Sequence, residues 1–228
     1  MLTCVALVGG QGSRMQPSDT QKCNIRLGSK TFLEWSLGCV GYDRLVLQGD
    51  VDVKFADPHG AHLTHDRMEC AGPGVALLRA IRSSVDLELP IVVIHCDQWL
   101  DWNWGHFRGF CERSAADVVV PVTYRYHKRW SVVQIGGDGS VVHIQPGGTT
   151  SQRYPWGLCG VTWFRRAGQV LEAADRPDCM ILGDDKVEDV VQFMADEASI
   201  ISYPVAGMVH FGTAHEFEDA KKMRGMPW

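Results

Sequence analysis

The sequence predicts an α/β fold, and three observations carry that prediction. A short apolar run, Cys4-Val5-Ala6-Leu7-Val8, empties at once into three glycines in four positions, Gly9-Gly10-Gln11-Gly12. A helical pattern and a second short strand come next, so the chain opens strand, loop, helix, strand. Further on, Leu89-Pro90-Ile91-Val92-Val93-Ile94-His95-Cys96-Asp97 is a mostly β-branched run that ends on a carboxylate. In open parallel sheets ligands bind outside the carboxyl ends of strands, so Asp97 and the first glycine loop should face one crevice.

Bulk properties set the bounds. At 228 residues the chain suits one domain, 1–228, with length enough for a full core. Its 45% hydrophobic and 21% charged residues are ordinary for a globular protein, and nothing near the N-terminus reads as a signal peptide or a membrane span. A net charge of −5 argues against general nucleic-acid binding, so an anionic substrate must be met by local positive charge. Eight cysteines at 4, 23, 39, 70, 96, 111, 159 and 179 contain no C-x-x-C pair. Several sit in apolar runs, as Cys4 and Cys96 do, where a free thiol behaves as a small hydrophobe, and the set reads as belonging to a reducing, cytoplasmic setting. The eight tryptophans have no functional reading at this level.

Strand one, at 2 to 8, is nearly all apolar, as a strand covered on both faces should be. The glycine loop after it lacks both the G-x-G-x-x-G and the G-x-x-x-x-G-K-[ST] patterns. Backbone N–H groups of such a loop can turn inward at an anion, with Arg14 and Lys22 adding two charges nearby. A polyphosphate cradle and a plain tight turn both satisfy that pattern. Thr31 to about Cys39 has helical periodicity and ends at Gly41, and Arg44 to Gln48 is a second strand.

Between Asp57 and Asp66, His59, His62 and His65 recur at spacings of three, but Pro58 and Gly60 speak against a helix. A solvated loop is the expectation there, a metal site the alternative. Gly72-Pro73-Gly74-Val75-Ala76 opens a helix that runs to about Ser84. After the strand ending at Asp97 come a helix from about Trp104 to Arg113 and a strand from Asp117 to Thr123. Trp130 to Ile135 and Val141 to Gln145 form a hairpin about the turn Gly136-Gly137-Asp138-Gly139-Ser140. Gly147 to Gln152 is a polar loop, either a cover or a connector. A strand near Trp156 to Phe164 is followed by helices at about 167 to 174 and 186 to 196, the second with Val187, Val190, Val191, Phe193 and Met194 as a core face. The chain closes with Ile200 to Val205 and Gly207 to Phe217. Asp97 at its strand end is either a turn residue or a ligand for Mg²⁺, which takes one or two carboxylates beside substrate phosphates; Asp101 is a weaker second carboxylate.

Gly9-Gly10-Gln11-Gly12-Ser13-Arg14-Met15-Gln16-Pro17, then Lys22, then Gly28-Ser29-Lys30-Thr31-Phe32-Leu33-Glu34 resembles the signature of the sugar-phosphate nucleotidyltransferases, the nucleotide-sugar pyrophosphorylases. Weaker matches at Gly72 to Leu77, around Gly160, and over Gly212, Thr213, Glu216 and Phe217 extend the likeness along almost the whole chain. The resemblance implies a three-layer, Rossmann-like nucleotidyltransferase fold with a mostly parallel central sheet and a small β-hairpin subregion on the sugar side. It implies transfer of a nucleotidyl group from a nucleoside triphosphate to a sugar 1-phosphate, with Mg²⁺, or Mn²⁺, as cofactor. Val8, Gly9, Gly10, Gln11, Gly12, Ser13, Gly72 and Ala76 would bind the nucleotide, with Arg14, Lys22 and Asp97 catalytic. Gly160, Gln145 and Thr213 would meet the sugar phosphate, and Asp97 and His210 the metal. A homo-oligomer is compatible with this reading.

The sequence departs from the pattern at four places. Gln21 replaces a proline, and Pro73 stands in the turn near the base. Ile144-Gln145-Pro146 stands where the family has Glu-Lys-Pro, and His210 where it has a second metal-binding aspartate. An imidazole suits Mn²⁺ or Zn²⁺ better than Mg²⁺. His210 is therefore open to four readings: a bystander to a metal on Asp97, a substrate contact, a mark of lost activity, or a packed histidine. The glycine run also resembles molybdopterin guanylyltransferases, and phosphocholine cytidylyltransferases share the layout. A nucleotide-sugar-binding regulatory protein would suit the changes at 145 and 210.

Overall fold

The computed structural model describes residues 1–9, 21–50, 52–53, 55, 57, 59–60, 62–67, 72–124, 130–147, 154–176, 179 and 186–223. Its centre is a sheet whose first half is parallel. β1 (Thr3–Leu7) lies between β4 (Arg44–Gln48) and β6 (Ile91–His95), and β4 pairs on its far side with β5 (His62–Asp66). Side chains alternate across each strand, so Val5, Leu7 and Val93 enter one core while Cys4, Ala6, Val92 and Ile94 enter another. That two-sided burial explains why these strands read as unbroken apolar runs.

Helices supply the outer layers. α2 (Pro73–Ser84), α4 (Ala167–Ala174) and α5 (Val187–Met194) pack over the first core, while α1 (Phe32–Leu37) and α3 (Trp104–Arg113) send Leu33, Leu37, Phe107 and Cys111 into the second. The result is the expected three-layer α/β arrangement. Thr31 caps α1 through a capping box with Glu34, which fixes its start where the glycine-lysine turn ends.

The other half of the sheet turns antiparallel. β12 (Val161–Phe164) runs against β6 and against β8 (Val118–Thr123); β8 is flanked also by β11 (Trp156–Leu158) and, in parallel, by β13 (Ile200–Pro204). β9 (Val132–Ile135) and β10 (Val141–Gln145) make the predicted hairpin, with Gly139 at φ +86° in its turn. β5, β4, β1, β6, β8, β13 and β9 all point one way; β12, β11 and β10 oppose them. Gly157 of β11 pairs with both Thr123 at the end of β8 and Val132 at the start of β9. The hairpin therefore rises beyond the carboxyl edge of the sheet and forms a wall there.

Two ribbons complete the fold. β2 (Arg26–Leu27) and β3 (Lys30–Thr31) flank a turn at Gly28, whose φ is +63°. β7 (Gln98–Asp101) pairs antiparallel with β14 (Gly207–His210), and α6 (Ala214–Lys222) follows, with Phe32, Phe211 and Phe217 packed together beneath it.

Two expectations are corrected. The segment read as a solvated loop contains β5, whose polar residues fit an edge position where backbone pairing to β4 holds the strand. The two of its histidines whose side chains are described go to separate backbone carbonyls: His59 Nε2 is 2.8 Å from that of Val40 and His65 Nε2 is 3.2 Å from that of Gly49. Asp101 is exposed, and the β7–β14 register pairs it with Gly207 at the opposite end of the ribbon from His210, so it is no second carboxylate for the site. Cys4, Cys23, Cys39, Cys96, Cys111 and Cys159 are buried free thiols, as the apolar runs around Cys4 and Cys96 predicted for those two. Among the described residues, no helix is long and apolar enough to cross a membrane.

Candidate active site

A cavity of about 450 Å³ opens at the carboxyl edge of the sheet. Lys22, Asp97, Gly160, His210 and Thr213 line it, so five of the residues singled out from sequence meet in one place. β6 delivers Asp97 two residues past its end, level with the close of β1, because Leu7 and His95 are register partners. Lys22 arrives on a short 3₁₀ turn, Lys22–Asn24, just after the glycine-loop segment. His210 is the last residue of β14, held beside Asp97 by the Phe211 amide, which donates to the Asp97 carbonyl at 3.0 Å.

These groups form one ion cluster. Lys22 Nζ is ion-paired with Asp97 Oδ2, and His210 Nε2 lies 3.4 Å from the same oxygen. The other ring nitrogen, Nδ1, is 2.8 Å from Glu216 Oε2, which also accepts from Thr213 Oγ1 at 2.8 Å. The Gly212 amide is 3.3 Å from Nδ1, but the shorter, charged contact with Glu216 decides the proton, so Nδ1 donates. Burial alone would push Asp97 up; His210 and Lys22 outweigh it and hold the carboxyl well below its usual range. Burial likewise opposes charge on His210, yet Asp97 and Glu216 raise it to about 9, and Glu216 in turn is lowered to about 2 against its own burial. Two carboxylates and two cations thus balance.

Two glycines make the packing of the site feasible. A Cβ on Gly212 would lie 2.3 Å from Asp97 Oδ2 and 2.5 Å from His210 Cε1. On Gly160 it would lie 2.8 Å from Gln98 Oε1, the atom that accepts the Gly160 amide at 2.8 Å. Any larger residue would have to displace the polar groups themselves.

The metal expectation divides on this geometry. Both ring nitrogens of His210 face carboxylates, so the imidazolium offers no lone pair to a cation. Asp97 presents a carboxylate at the cavity edge, which fits a hard cation that keeps phosphate oxygens and water as its other ligands. Among the described residues, no group of three or more His, Cys, Asp or Glu side chains is arranged to hold a metal ion.

Other sequence-derived residues are placed less centrally. Gly10, Gln11, Gly12, Ser13 and Arg14 lie outside the described residues, as do 148–152 of the polar loop. Val8 is fully buried in the second core, and Gly9 follows it at the edge. Gly72 is the N-cap of α2 and Ala76 packs in the first core; neither lines the cavity, whereas Pro73 between them does. Gln145 does not line it, while its neighbour Ile144 does, since successive strand residues face opposite ways.

Sequence reasoning missed several lining residues: His95, Gln98, Trp130, Ser131, Lys186 and Glu188. His95 has its imidazole held neutral, with burial pushing its pKa down. Alternation along β6 offered a signal for His95, since Ile91 and Val93 share its face. Thr213-Ala214-His215-Glu216 is a helix-start pattern that foretells α6. Nothing local marks Lys186 and Glu188, because the apolar stripe of α5 dominates that stretch.

A family model, the MobA-like NTP transferase domain, matches residues 4–176. No curated protein matches the sequence. Among solved structures, a Bacillus anthracis protein described as a candidate glucose-1-phosphate thymidylyltransferase superposes with a TM-score of 0.80 at 14% identity, over 100% of this chain and 97% of that one. A nucleoside-diphosphate-sugar pyrophosphorylase from Vibrio cholerae gives 0.70 at 15% identity, covering 98% of this chain and 100% of that one. HddC from Yersinia pseudotuberculosis gives 0.71 at 18%, covering 97% and 99%. At such identities the likeness to these structures is one of fold.

Proposed function

The chain belongs to the MobA-like NTP transferase domain family, and from that premise we propose that it joins a nucleoside triphosphate to a sugar 1-phosphate, releasing pyrophosphate and giving a nucleotide sugar. The observation that carries this reading is the meeting of Lys22 and Asp97 at the edge where β1 opens into the glycine segment. An oxygen of the sugar phosphate attacks the α-phosphorus, and the bond to the bridging oxygen of pyrophosphate breaks. The attacking group is already ionised, so the protein supplies alignment and charge rather than a nucleophile of its own.

In this reading the amides from Gly10 to Ser13, with Arg14, hold the β- and γ-phosphates of the leaving group. Gly9, with the α2 start at Gly72 and Ala76, shapes the base side. Lys22 swings between Asp97 and the α-phosphate, neutralising charge as it develops. Asp97 would hold Mg²⁺, with Mn²⁺ as a substitute, and the ion would supply charge neutralisation between the α-phosphate and the acceptor. His210 keeps Asp97 oriented and ionised and adds a fixed positive charge beside the transferring group. Gly160 and Thr213 border the acceptor side.

The test is pyrophosphate release from ATP, GTP, CTP, UTP and dTTP against a panel of sugar 1-phosphates, first with Mg²⁺ and then with Mn²⁺. Release that needs one base and one sugar phosphate is the expected outcome. Silence across the panel from folded, nucleotide-binding protein would overturn the sugar acceptor. Arg14→Ala should lower turnover at least about a hundredfold.

A further inference from the structure

The cavity has a second polar cluster, on its hairpin side. Ser131, at the foot of β9, donates from Oγ to Glu188 Oε1 at 2.6 Å, and Lys186 Nζ lies 3.9 Å from the same oxygen. All three residues line the cavity. The Glu188 side chain is only 19% exposed, and an ionised carboxylate accepts at more positions than one serine and one distant lysine fill. Gln98, next after Asp97 in the chain, lines the same cavity and is 3% exposed; its Oε1 is used by the Gly160 amide, but its Nε2 is buried with no hydrogen-bond partner among the described residues. Orphaned buried donors are uncommon and call for an explanation. Val120, Ile144, Leu158, Val187 and Val191 supply the apolar remainder of the wall.

We propose that Glu188, held by Ser131 and flanked by Lys186, determines acceptor specificity by accepting hydrogen bonds from ring hydroxyls, with Gln98 as the complementary donor. The inference rests on the sugar-phosphate reading above and assigns the discriminating residue within it. Ser131 pins one carboxylate oxygen, which leaves the other for substrate. Lys186 puts a positive charge beside that carboxylate and so disfavours a quaternary ammonium head, which separates a hydroxylated acceptor from a choline-like one. A site built to hydrogen-bond a hydroxyl rejects an analogue lacking it far more strongly than an apolar pocket rejects a missing methylene.

The experiment compares wild type and Glu188→Gln on the sugar 1-phosphate that the wild type uses, on its mono-deoxy analogues and on phosphocholine. Glutamine keeps an oxygen for Ser131, so a purely structural role for Glu188 would leave discrimination unchanged. Wild type should lose about tenfold or more in kcat/KM on at least one deoxy analogue. In Glu188→Gln the acceptor KM should rise about tenfold and that penalty shrink below about threefold, with the KM for triphosphate unchanged. Identical discrimination by the two proteins overturns this proposal alone, and efficient use of phosphocholine by the wild type also overturns it. A wild type inert on every sugar 1-phosphate overturns the underlying reading as well. Should Glu188→Gln fail to fold, Ser131→Ala gives the same readout, because it unpins the carboxylate without removing it.

Discussion

The two halves of the sheet meet at β6 and β12, and they hold their polar groups differently. At the carboxyl edge of the parallel half, past the ends of β1 and β6, which are buried on both faces, Lys22, Asp97 and His210 gather so that each charge has an opposite partner at 3.4 Å or less. Beside the antiparallel half, the hairpin is half exposed, and Glu188 of α5, bonded to Ser131 at the hairpin's foot, keeps hydrogen-bonding capacity that no described residue uses, as does Gln98 of the β7–β14 ribbon. A saturated cluster resists change, since altering one member strands the others. An unsaturated one is shaped for something that comes and goes. In the proposed reading, the charge cluster carries the transfer step and the hairpin-side cluster the choice of acceptor.

The largest effects should come from breaking the saturated side. Lys22→Ala and Asp97→Asn should each lower turnover at least about a hundredfold with helical content intact, by pyrophosphate release and circular dichroism; near-normal turnover in either would undo the division drawn here. Gly212→Ala should come next, because the added carbon has to displace Asp97 or His210. It should lower melting temperature and turnover together, with ΔΔG of about 1–3 kcal/mol. If it is silent in both, the cluster is looser than its contacts indicate.

A subtler effect concerns pH. His210, raised to about 9, contributes stability that is fully present below its ordinary value near 6.5 and is lost as pH rises through about 9. Glu216, lowered to about 2, contributes stability present above its ordinary range near 4.5 and lost as pH falls through about 2. These are two views of one contact and are not summed. Urea midpoints at about pH 6 and about pH 10 should show wild type losing stability on the order of 2–3 kcal/mol that His210→Asn never had. Smallest of all, Gln145→Ala should change sugar-phosphate KM less than about twofold, because Ile144 rather than Gln145 faces the cavity. A tenfold rise would restore Gln145 to the acceptor side.

The parallel half was largely legible in the sequence because burial on both faces writes itself as continuous apolar runs, as in 91–95, and because a carboxylate at a strand end is a local signal. Lys22, Asp97, Gly160, His210 and Thr213 were found that way or through motif spacing, and they converge. The hairpin's position was legible from its turn. What was not legible depends on tertiary pairing. β5 is polar because its pairing partner is the backbone of β4, and the β7–β14 ribbon joins segments more than a hundred residues apart. Lys186 and Glu188 have their neighbours in Ser131 and the far side of a cavity, and no spacing within α5 encodes that. The charge state of His210 was unreadable for the same reason, since its two carboxylates come from the turn after β6 and from α6.

Glu216 belongs at once to the opening turn of α6 and to the ion cluster. Its amide donates to the Thr213 hydroxyl in the ordinary manner of a helix start, while its carboxylate is committed to His210. Fraying of that one turn would therefore withdraw the imidazolium's outer support and loosen the grip on Asp97. The durability of the reactive geometry is in this sense borrowed from a helix that contributes little to the main core. Amide exchange at 214–217 should run in step with loss of the cluster, which turns a terminal helix into a gauge of whether the site is assembled.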